Sequence, residues 1–148
     1  MEIYFDTDYI TVKYDEVYHI LIVTWKLPTT SPEFREGMMA MLEATKHYKA
    51  GRMVSDVVNL GAILEEDRIW AATEWRAHAV PAGHSRVAFI LPEDIFTTMS
   101  MDDMLSMADN DVSTAYFNRM EDAIRWVIIP QQMHNTGESA LKKNSTDK

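Results

Sequence analysis

Arg52-Met-Val-Ser-Asp-Val-Val-Asn59-Leu-Gly-Ala-Ile-Leu-Glu65-Glu66-Asp67 reads as a buried strand over Met53–Val58, a short loop through Gly61, and a helix that opens on three acids. In a βα repeat this junction is where phosphates and nucleotides sit, because the first backbone N–H groups of the helix point outward unpaired. Here the loop has one glycine and no lysine, and Glu65, Glu66 and Asp67 already complement the positive end of the helix dipole. An anion there would be repelled. No Ser, Thr or Tyr occurs between Val57 and Ala72, so the junction also offers no hydroxyl to phosphorylate.

Working outward, Ile10–Tyr14 and Val17–Trp25 are rich in β-branched and aromatic residues and flank Asp15-Glu16, which predicts a hairpin. Both faces of the second strand are apolar (Tyr18, Ile20 and Ile22 against Leu21, Val23 and Trp25), the pattern of a central strand covered on both sides. This reading places His19 in mid-strand. Thr30-Ser-Pro-Glu33 combines a hydroxyl cap, a proline in the first turn and a glutamate that closes a capping box. Phe34, Met38, Met41, Leu42, Thr45 and Tyr48 then follow on one helical stripe up to Gly51.

Beyond the quoted stretch, a helix over Glu65 to about Ala77 ends at Val80-Pro-Ala-Gly83, and Arg86–Leu91 is an unbroken apolar strand stopped by Pro92. Ser100-Met-Asp-Asp103 caps an expected third helix, Val112–Phe117 a weaker edge strand, and Asn118-Arg-Met-Glu121 a last helix through Trp126. The order ββαβαβαβα predicts an α/β fold: a mixed, mainly parallel sheet of about five strands with about four helices, one domain over residues 1–130. From Gln131 the chain is polar, without an apolar stripe, and reads as a frayed tail. Truncation after Pro130 is therefore expected to shift the melting midpoint by only a few degrees in a thermal scan; loss of cooperative unfolding would mean that the tail docks on the fold.

Composition narrows function mainly by exclusion. The 148 residues carry a net charge of −9 and no cysteine. A nucleic-acid or anionic-membrane partner needs a basic face, so neither is expected. Without cysteine there is no disulfide framework, thiol nucleophile or thiolate metal site. No run is long enough for a membrane span, and the acidic start Met1–Asp8 lacks the layout of a leader. A cytoplasmic protein is the expectation. His78 and His84 flank the Pro81 loop but lack metal-ligand spacing, and no Gly-x-Ser-x-Gly occurs. No catalytic set, metal or cofactor is expected. Asp56 at its strand end fits a loop cap as readily as a catalytic acid.

The element order, the Val-Ser-Asp56-Val strand, the Trp70…Glu74-Trp75 helix and Glu121-Asp-Ala123-Ile-Arg-Trp126 together resemble the small bacterial SpoIIAA-like proteins of the STAS and Sec14-related fold. The resemblance covers about Ile10 to Val127. In anti-sigma-factor antagonists of that family, phosphorylation of a serine at the start of the helix after the third strand switches partner binding. The corresponding segment here, Asn59–Asp67, has no hydroxyl, so the switch is not expected. Two readings remain. One is a non-enzymatic module that binds another protein, with a homodimer expected, through Leu60, Leu64, Trp70, Trp75 and Arg76. Trp70 and Trp75 fall on opposite margins of the helical stripe, which leaves at least one half exposed, and Arg76 either lies inward or snorkels out. The alternative is a carrier or sensor of a small apolar or lipid-like ligand, in a pocket under the third helix lined by Phe96, Met99, Met104 and Met107. An enclosed apolar cavity above ~300 Å³ would favour the ligand; an exposed apolar patch on the second helix would favour docking.

Overall fold

The structure, a computed structural model, describes residues 1–100 and 111–130. Its centre is one six-stranded sheet with strands in chain order, β1 (Glu2–Asp6), β2 (Ile10–Asp15), β3 (Ile20–Trp25), β4 (Arg52–Asp56), β5 (Arg86–Ile90) and β6 (Ser113–Phe117). The pairs β1–β2 and β2–β3 are antiparallel, and β3–β4, β4–β5 and β5–β6 are parallel. The fold is thus α/β as expected, with six strands where five were predicted. The extra strand is β1, in a segment whose acids mask the short Ile3-Tyr4-Phe5 run. It is an edge strand and mostly exposed, so little apolar signal is required of it.

Thr30 caps α1 (Ser31–Tyr48) as its sequence predicts. Its side chain accepts from the Glu33 backbone N–H, and the Glu33 carboxylate accepts from the Thr30 N–H. Helix α2 (Glu65–Trp70) continues through a π-helical turn (Ala71–Trp75) into a last α-turn (Arg76–Ala79), and the three are treated as one rod, α2. Helix α3 (Glu93–Thr98) follows Pro92, earlier than expected, and residues 101–110, where the third helix was predicted, lie outside the described residues. Helix α4 (Met120–Val127) closes the described chain, and the tail from residue 131 also lies outside it.

His19 requires a correction. It sits in the β2–β3 turn with φ 58°, not in mid-strand. The Asp15 carboxylate accepts from the N–H groups of Val17 and Tyr18 and closes a local turn, which takes Val17–His19 out of the ladder.

The alternation of each strand sorts the core into two layers. Val12, Leu21, Val23, Trp25, Met53 and Val87 face α1 and α2; Ile20, Ile22, Val54, Ala88 and Ile90 face Ala123 and Val127 of α4. Strand β3, covered on both sides, is the central strand its sequence suggests. Helix α1 lies close on it, because a Cβ at Gly37 would come within 2.6 Å of the Trp25 ring. Gly51 is tighter still: a Cβ there would lie 1.8 Å from the Gly83 carbonyl oxygen. Among the described residues no helix is long and apolar enough to cross a membrane.

Candidate functional site

Between the α1/α2 face of the sheet and its helices lies a cavity of about 620 Å³. Its floor is made by side chains that alternation turns to one face: Met53, Ser55 and Val57 from β4 and its extension, and Val87, Phe89 and Leu91 from β5 and its extension. Trp25, Phe34, Met38 and Met41 close one wall, and Ala71 and Trp75 form the wall that α2 contributes. The mouth lies where β4 and β5 end, rimmed by Val58, Leu60–Ile63, Pro92 and Ile95. This is the carboxyl edge of the parallel strands, the usual ligand position in open α/β sheets.

Helix α2 is pinned over the cavity by α1. Buried Asp67 accepts from Ser31 Oγ and from Arg35 Nε, each at 2.8 Å, and the Arg35 contact holds its carboxyl below the usual range. The Arg35 guanidinium also lies over the Trp70 ring, 4.8 Å from its centroid. Trp75 Nε1 donates to the Met38 carbonyl at 2.7 Å. The π-turn makes this possible, since the Arg76 N–H reaches back five residues to the Ala71 carbonyl. Such a turn takes one residue more to close than an α-turn, so Trp70 and Trp75, five apart, come nearly into line and both meet α1.

The inner end is built by His84. It is only 6 % exposed, meets the Trp75 ring edge-on at 5.4 Å, and its backbone N–H bonds to the Ala79 carbonyl. Its Nδ1 is buried and has no hydrogen-bond partner. Burial, and secondarily the Arg76 charge, depress its pKa to about 4, so the imidazole is neutral near pH 7. Ser55 is buried on the floor, and Tyr116 stacks on Phe89, its phenol pushed up by burial. Among the described residues, none of those that line it is charged.

The residues singled out from sequence divide as follows. Leu60 and Trp75 line the cavity and are buried, whereas Leu64 is 56 % exposed outside it. Trp70 is half-buried under Arg35. Arg76 is partly exposed and pairs with Asp111 at 3.5 Å, which is the outward reading. Phe96 lies in a shallow groove with Phe117 and Trp126, away from the large cavity. Met99 does not line the cavity either, and Met104 and Met107 lie outside the described residues. Asp56 is a loop cap, accepting from the Val58 N–H at 3.1 Å. His78 is exposed. His84 is the site residue whose role sequence reasoning missed; its position just after Gly83, between a helix end and a buried strand, was the available signal.

No protein-family model, no curated protein and no solved structure matches this chain.

Proposed function

We propose that this chain binds one small, predominantly apolar ligand in the cavity between α1, α2 and the sheet, and acts as its carrier or sensor. The observation that carries the reading is the cavity itself. It is open at its mouth, and an apolar cleft of about 620 Å³ is within the range of small-molecule sites. The apolar lining and the lack of charge fit a hydrocarbon-rich occupant, which is also the Sec14 side of the SpoIIAA-like resemblance. Binding of N-phenylnaphthylamine, a neutral dye that fluoresces when withdrawn from water, tests it. One-to-one saturation is expected in the wild type. Ala71→Phe, which projects a ring from the α2 wall, should weaken binding at least about tenfold without unfolding the chain. A dye that binds both proteins equally, or neither, would remove the reading.

A second reading, docking of a protein or of a second copy of this chain, is favoured by Leu64 and Ile69, which are 56 % and 53 % exposed on and beside α2. Trp75 does not belong to that surface, since it is buried.

A further inference from the structure

We infer, on the reading that the cavity holds an apolar ligand, that the ligand enters head first: an uncharged hydroxyl or carbonyl head sits against His84 at the inner end, and the apolar tail runs toward the mouth. Three observations carry this. First, Nδ1 of His84 is buried in the cavity wall without a partner. A buried polar group left unpaired costs about 1–3 kcal/mol. Nδ1 has almost no accessible surface, so a ligand hydrogen bond recovers that cost once the imidazole turns its nitrogen toward the cavity. A neutral imidazole has one donor and one acceptor nitrogen, so either a hydroxyl or a carbonyl can complete it.

Second, the polarity runs inward. His84 precedes β5 and is buried, whereas the lining residues beyond the other end of β4 and β5 are apolar, with Val58 40 % and Ile95 49 % exposed. A head-out ligand would leave His84 unpaired and would find only water at the rim, since the other polar lining residues, Ser55 and Tyr116, lie inside it, level with Phe89. A tail emerging at this rim would meet matching surface.

Third, charge excludes an anionic head at both ends. Among the described residues no lining residue is cationic, and Arg76, the cation that acts on His84, is paired with Asp111. Past the rim, Glu65, Glu66, Glu93 and Asp94 at the starts of α2 and α3 would repel a carboxylate or phosphate. The ligand class is therefore a neutral amphiphile such as a medium-chain alcohol, aldehyde or ketone.

Displacement of N-phenylnaphthylamine by octanol, octane and octanoate, on wild type and His84→Phe at neutral pH, tests the assignment. Phenylalanine keeps a ring against Trp75 and removes the hydrogen bond. The octanol-to-octane affinity ratio should fall about tenfold in His84→Phe, and octanoate should be the weakest alkyl ligand in the wild type. An unchanged ratio, or octanoate binding as well as octanol, would overturn the head-first assignment while leaving the cavity reading in place. Failure of the dye and of all three ligands to bind would remove both. Should His84→Phe not fold, the imidazole nitrogen chemical shifts of wild type decide. A shift with octanol and none with octane supports the contact; identical responses refute it.

Discussion

Arg86→Ala should lower the unfolding free energy by about 3 kcal/mol or more, whereas Arg86→Met should cost about 1 kcal/mol or less. Arg86 is fully buried at the start of β5, with its guanidinium 4.7 Å from the centroid of the Trp126 ring. Its Nη1 donates to the carbonyls of Trp126 and Ile129 at 2.9 and 3.3 Å, at the negative end of the α4 dipole. Yet Nε and Nη2 are buried without partners, and Arg52 beside it helps burial to depress its basicity. The charge is thus only half compensated. Methionine keeps an apolar stem over Trp126 and removes the two unpaired donors. The carbonyls are not orphaned, because Ile129 O still accepts from Arg52 at 2.6 Å and Trp126 O from the Ile129 N–H. Alanine instead leaves a hole between sheet and helix, and the cavity term dominates. Urea unfolding of the three proteins measures this. Equal losses in both variants would mean that the hydrogen bonds, and not the volume, hold α4 down.

The second large effect is acid destabilisation by His84. Its folded-state pKa is depressed to about 4 from 6.5, so the unfolded chain takes up a proton that the folded chain resists. Stability from this residue is complete above pH 6.5 and is lost as pH falls toward 4: about 2 kcal/mol by pH 5 and on the order of 3 kcal/mol by pH 4. The groups that face the ring are the Trp75 edge and the Arg76 charge, and neither stabilises a proton on it. Asp67, Asp6 and Glu121, whose pKa values are lowered, add their losses only below their ordinary values of 3.8, 3.8 and 4.5. Among the described groups with shifted pKa values, His84 is therefore the one that acts between pH 6.5 and pH 5. Denaturant unfolding as a function of pH should show this slope in the wild type and lose it in His84→Phe. The same slope in both would place the titrating group elsewhere.

What the sequence revealed follows from how local each signal is. The capping box at Thr30 and Glu33, the doubly apolar β3 and the Pro92 stop are each set by a few neighbouring residues, and each stands where it was expected. Strand β1 escaped because an edge strand has one covered face, and its acids dominate the reading. Trp75 was misplaced for a different reason. A helical wheel assumes a constant period, and the π-turn at Ala71–Trp75 breaks it, carrying the indole inward to Met38. The cavity was the least legible feature. Trp25, Phe34, Met41, Met53 and Val87 each read as ordinary core, and only their assembly from separate elements reveals the space that they line.

The presence of a ligand in this cavity is tested most directly by labelling the methionine methyl groups and titrating octanol while following their nuclear magnetic resonance signals. Met38, Met41 and Met53 line the cavity and Met99 does not. A cavity ligand should shift the first three and give through-space contacts to their methyl groups. Shifts confined to Met99, Met104 and Met107, or no shifts at saturating octanol, would contradict it.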